Sequence, residues 1–242
     1  MASNSETGHV VNIANFKLLI DKCVAFTTNY KPSNTDLTVA NMTLLWKAGD
    51  DSHKALTTVM QLAKNPINAR EILFAPLDKL VTKTLNILKS TKASKQLKAD
   101  AKTLADRIRG FGVKTKKMPD GTENPNSVST SHQSFVQRQD TFKQLIDLYK
   151  NEPLYAPAEV ELKTVTLDVL NASMKTANDG IGLIITPVDT ARVARDKSLY
   201  AESTGMVDLA LQCKDYVKGA FGSKAPEAKL VTGIKFTRPK KK

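Results

Sequence analysis

From Asn12 to Asn29 apolar residues stand at Ile13, Phe16, Leu19, Ile20, Cys23, Val24 and Phe26. Steps of three and four along this stretch predict an amphipathic helix. Tyr30-Lys31-Pro32-Ser33-Asn34 reads as a turn, because Pro32 lacks an N–H and disfavours helix at the residue before it. Asn34 or Thr35 suits the cap of a second helix, with Asp36 in its first turn. That helix is long: Leu37, Ala40, Leu44, Leu45, Ala48, Leu56, Val59, Met60 and Ala63 keep a period between three and four until Pro66 kinks or ends it. A third helix follows Pro76 on Leu77, Leu80, Val81, Leu85 and Leu88, and a short basic one spans Ser94 to Arg109.

The second half of the chain reads the same way. A long helix from Ala158 to about Tyr200 is interrupted by Gly180, Gly182 and Pro187; others span Gly205 to about Phe221 and roughly Ala225 to Phe236. Gly182-Leu183-Ile184-Ile185-Thr186 has strand composition, but its helical neighbours favour helix.

The likeness of the halves extends to residues. Phe16-Lys17-Leu18-Leu19-Ile20-Asp21 recurs as Phe142-Lys143-Gln144-Leu145-Ile146-Asp147, and Tyr30-Lys31-Pro32 as Tyr155-Ala156-Pro157. Ala69-Arg70-Glu71 recurs as Ala194-Arg195-Asp196, and Leu73-Phe74-Ala75 as Leu199-Tyr200-Ala201. Val81 and Leu85 match Val207 and Leu211, and Ile108-Arg109 matches Ile234-Lys235. The offset stays at 125 to 126, which points to internal duplication. Between the copies, Gly110 to about Ser131 is rich in Gly, Pro, Asn, Ser and Thr and reads as a linker. The expected organisation is a disordered 1–11, helical units at 12–110 and 132–236, a linker at 111–131 and a basic tail at 237–242. The fold class is all-α: two tandem units of three or four helices, packed as a pseudo-twofold bundle because each unit alone is small.

Charge changes the picture most. The chain is +12 over 242 residues, and the excess is concentrated at the end of each unit. Lys89 to Lys117 carries a net +8 and Lys214 to Lys242 a net +7. Lys92, Lys95, Lys98 and Lys102 lie three or four apart and should share one helix face, with Arg107 and Arg109 following. Lys235, Arg238, Lys240, Lys241 and Lys242 form the second basic group, its last part a candidate polyanion-binding arm. Such groups attract nucleic acid or another polyanion, or serve as solvated surface. Arg70 and Arg195 are a repeated basic position; a salt bridge or a helix C-terminal contact is the expected role, an anion site the sharper alternative.

Catalytic patterns are missing. His9, His53 and His132 form no H-x-x-x-H pair, and no P-loop or G-x-S-x-G elbow occurs. Gly180-Ile181-Gly182 lacks the third glycine and the preceding strand of a dinucleotide site. Cys23 and Cys213 belong to no metal motif and read as two buried, small apolar residues. No catalytic residue, cofactor or metal is expected. The N-terminus has no basic or apolar signal region and no run of 18 apolar residues occurs, so no transmembrane segment and a cytoplasmic location are expected.

Tyr30 to Ala40, Ala194 to Tyr200 and Val231 to Arg238 resemble segments of a group of uncharacterised helical proteins in bacterial genomes. The resemblance implies a bacterial origin and a helical fold, and brings no activity or functional residue. The reading that follows is a non-enzymatic binding or scaffold protein with a basic surface for nucleic acid or another polyanion, with a protein partner or homodimer open. The alternatives are a membrane-active, pore-forming-like bundle with Gly180 to Val188 as its apolar hairpin, and a purely structural role.

Overall fold

The computed structural model describes residues 8–111 and 133–239. All regular structure among them is helical: α1 (His9–Ala25), α2 (Val39–Phe74), α3 (Leu77–Ser90), α4 (Lys95–Arg109), α5 (Phe135–Lys150), α6 (Thr164–Tyr200), α7 (Met206–Phe221) and α8 (Pro226–Thr232). The all-α class is as expected. Most of the linker lies outside the described residues. The first helix opens at His9, so part of the stretch expected to be disordered is helical.

Both long helices run through their prolines, α2 past Pro66 and α6 past Pro187, and Gly182 to Thr186 is helix within α6. Each is preceded by a single 3₁₀ turn, at Thr35–Leu37 and at Val160–Leu162. Asn34 caps the first of these turns by accepting from the Asp36 N–H at 3.0 Å, so its cap falls on the turn and not on α2. The two turns are fastened alike. Buried Tyr30 donates its phenol to the Leu37 carbonyl at 2.7 Å, and buried Tyr155 donates to the Leu162 carbonyl at 2.9 Å.

The chain divides into two compact units that do not follow its order: residues 1–63 with 185–242, and residues 64–184. Each takes one end of α2 and one end of α6.

In the first unit α1 packs on α7 and α8. Its core holds Phe16, Leu19 and Cys23 of α1, Met42 of α2, Leu199 of α6, Met206, Ala210, Cys213 and Val217 of α7, and Ala228 and Val231 of α8. Burying each large side chain there contributes about 1.5–3 kcal/mol. Val24, expected in the α1 stripe, is exposed instead. In the second unit α4 packs on α3 and α5. Phe74, Leu77, Val81, Leu85, Leu88, Ala101, Ile108, Phe142, Leu145, Ile146, Leu167 and Met174 form its core.

On α2 Met42, Gly49, Leu56 and Ala63, seven residues apart, are buried, as is Phe74 at its end, whereas Leu44 and Met60 of the expected stripe are exposed. On α6 Leu167, Met174 and Val188 keep the same row at an offset of 125. Gly49 leaves room for Met206: a Cβ there would sit 2.1 Å from Met206 Cε, so that flexible end would have to shift. At α7 the expected match needs a shift, because Leu211 is 49% exposed where Leu85 is buried. The helix openings correspond better, since Leu77 and Met206 each begin a helix and are each fully buried.

Candidate polyanion-binding face and its surroundings

The fourth helix is closed at both ends by its sequence. Ser94 Oγ accepts from the Leu97 N–H at 3.1 Å, and Gly110 ends the helix at φ 78°, a left-handed conformation that favours glycine. Ala101, Ala105 and Ile108 are its buried side, and the lysines stand away from it.

The four expected lysines are not one uniform face. Lys92 precedes the helix, in the turn after α3. Lys98 is half-buried and donates to the Thr91 carbonyl at 2.6 Å, at the negative C-terminal end of α3. Lys102 pairs with Asp106 at 2.6 Å. Arg109 reaches Asp106 at 2.5 Å and Thr82 Oγ1 at 3.1 Å, and its guanidinium lies 5.0 Å from the Phe111 ring. Burial works to raise the Asp106 carboxyl, but the hydrogen bonds from Lys102 and Arg109 outweigh it and hold the group below the usual carboxylate range. Lys89, Lys92, Lys95 and Arg107 remain exposed, with no ion pair among the described residues.

The C-terminal basic group divides in the same way. Residues 233–239 are laid along the first unit, not free. Asn12, buried, donates to the Thr237 carbonyl at 2.7 Å and accepts from the Thr237 N–H at 3.1 Å. Arg238 donates to the Tyr200 carbonyl at 3.2 Å and pairs with Asp208. Its hydrogen bond, with one from the Ser203 N–H, holds the Asp208 carboxyl below its ordinary value. Lys214 donates to the Ile234 carbonyl and lies 5.0 Å from the Phe236 ring; burial lowers its ammonium from the ordinary lysine value. Lys235 is exposed, and Lys240, Lys241 and Lys242 lie outside the described residues.

The repeated arginines occupy different surroundings. Arg195 donates through Nε and Nη2 to Asp196 Oδ1 at 2.9 and 2.7 Å. Nearby, His9 and Tyr200 share a 2.8 Å hydrogen bond; burial first, then the Arg195 charge, lowers the His9 imidazole from its ordinary value near 6.5. Arg70 stacks 4.2 Å from the Phe135 ring, and its Nε is buried without a partner. An ion pair thus fits Arg195, and an aromatic stack takes its place at Arg70.

Two buried arrangements escaped sequence reasoning. Cys23 and Cys213 lie with their sulfurs 3.5 Å apart, with the Tyr30 hydroxyl 3.3 Å from Cys213. In the second unit Tyr149 donates to Thr84 Oγ1 at 3.1 Å and stacks on Tyr155 at 4.2 Å between ring centroids. Burial pushes the Tyr149 phenol up to about 12. The only signal was the matched Tyr30 and Tyr155; nothing in the sequence pairs α1 with α7.

Among the described residues no group of three or more His, Cys, Asp or Glu side chains could hold a metal ion, and no helix is long and apolar enough to cross a membrane. The chain matches no family model, no curated protein and no solved structure.

Proposed function

We propose that the protein is a non-enzymatic helical binding protein whose α3–α4 end docks a polyanion, nucleic acid being the specific version. One observation carries the reading: at the α3–α4 end Lys89, Lys92, Lys95 and Arg107 are exposed with no ion pair among the described residues, whereas Lys98, Lys102 and Arg109 are engaged. An unpaired surface lysine gives up little on meeting a phosphate, whereas Lys102 and Arg109 would first have to leave Asp106. Lysines supply point charges without a rigid fork, which suits backbone contact better than base reading.

The test is binding of a fluorescent mixed-sequence duplex and single strand at two salt concentrations. Four phosphate contacts give a log–log salt slope near −3.6, so affinity should fall roughly a hundredfold between about 50 and 200 mM salt. Changing Lys89, Lys92, Lys95 and Arg107 together to Gln should remove most of that slope. Removing residues 240–242 alone measures the share of the tail. Absence of binding at the lower salt overturns the reading.

A further inference from the structure

We infer that Cys23 and Cys213 form a reversible disulfide in the folded protein, a covalent latch between α1 and α7. The thiols are 190 residues apart in sequence, yet their sulfurs lie 3.5 Å apart inside one core. Closing that gap to a bond of about 2.05 Å asks for little more than side-chain rotation and a small approach of two helices that already pack together. Both cysteines are free and buried, so each is the other's nearest thiol and no second chain competes.

The two thiols differ in their surroundings. The hydrogen bond shared with Cys23 and the Lys214 charge lower the Cys213 thiol from its ordinary value, while that same hydrogen bond and burial raise the Cys23 thiol. With Cys213 attacking and Cys23 resolving the step balances, and it does so equally with the two exchanged. With a peroxide as oxidant, Cys213 Sγ attacks one peroxide oxygen, the O–O bond breaks, and a sulfenic acid and water result. Cys23 Sγ then attacks the Cys213 sulfur, the S–O bond breaks, and the hydroxyl leaves as water with the Cys23 proton. Two thiols are oxidised to one disulfide and hydrogen peroxide is reduced to two waters.

The second unit supplies a contrast. There Tyr149 of α5 and Thr84 of α3 meet, and they hydrogen-bond but cannot cross-link. Only one unit would answer to oxidation.

The experiment treats the full, folded chain with hydrogen peroxide under native conditions, quenches it, and counts thiols in denaturant. Both thiols should disappear, the mass should fall by two hydrogens, and a digest should yield the Cys23 peptide joined to the Cys213 peptide. Dithiothreitol should reverse all three. The latch closes a loop of nearly the whole chain, so the oxidised protein should melt about 5–10 °C higher. Persistent thiols, added oxygen without linkage, cross-linked dimers, or an unchanged or lower Tm would each overturn the inference. Cys23→Ser serves as the control: it should take up oxygen at Cys213 and gain no Tm.

Discussion

Asn12→Ala isolates how the C-terminal segment is held. Asn12 is 1% exposed, and its amide makes two hydrogen bonds to the backbone of Thr237, at 2.7 and 3.1 Å, with a weaker one to the Tyr200 hydroxyl at 3.3 Å. A neutral hydrogen bond contributes about 1 kcal/mol net, so the two good ones give about 2 kcal/mol and the long one about 0.5 kcal/mol. Thr237 is only half-buried and water can reach its freed groups, which keeps the loss near that sum. Urea unfolding followed by helical circular dichroism measures it as a lowered midpoint at unchanged slope. The same substitution in a chain lacking Thr237 to Lys242 should cost only about 0.5 kcal/mol, because only the Tyr200 contact remains to be lost. Equal losses in both backgrounds would refute the reasoning, since Asn12 would then act through something other than Thr237.

Three further outcomes are expected from the same assay. Gly205→Ala should destabilise by about 1–3 kcal/mol, because its Cβ would lie 2.6 Å from the Ala201 nitrogen and 2.8 Å from its carbonyl oxygen, backbone that cannot step aside; a neutral result removes that argument. Gly180→Ala and Gly182→Ala should each stabilise by about 0.5–1 kcal/mol, since both lie within α6 and nothing stands within 4 Å of the new methyl; a loss at either would show a neighbour the helix does not reveal. The folded state holds His9 below its unfolded value near 6.5, so the unfolded chain binds the extra proton first as pH falls. Stability should therefore decline as pH drops from about 6.5 toward the lowered folded value, and His9→Gln should flatten that decline; an unchanged pH profile in the variant would exclude His9 as its source.

The helices were legible because their stripes are: Phe16, Leu19, Ile20 and Cys23 are buried as the period requires, and so are Leu77, Val81, Leu85 and Leu88. Their partners were not. Periodicity says which face of a helix is apolar, not which other face it meets, so Cys23 beside Cys213 and Asn12 beside Thr237 could not be read from the chain. The long helices misled for a related reason. Leu44 and Met60 supplied a period by composition, while the buried row passes through Gly49, where a small residue makes room for Met206. Of the basic face, the charge was readable and its engagement was not. Lys98 folds back on the Thr91 carbonyl seven residues earlier, which depends on the turn between α3 and α4, and Lys102 meets Asp106 one turn on along α4.

The composition of the first unit bears on how the protein is made. On the ribosome α1, carrying Phe16, Leu19 and Ile20, emerges long before α7 and α8, the helices it packs on. Residues 64–184 can complete their own core while those side chains wait in water. The nascent chain therefore carries the apolar face of α1 without these two helices until they have been made, and they decide whether that face finds its place or a neighbouring chain.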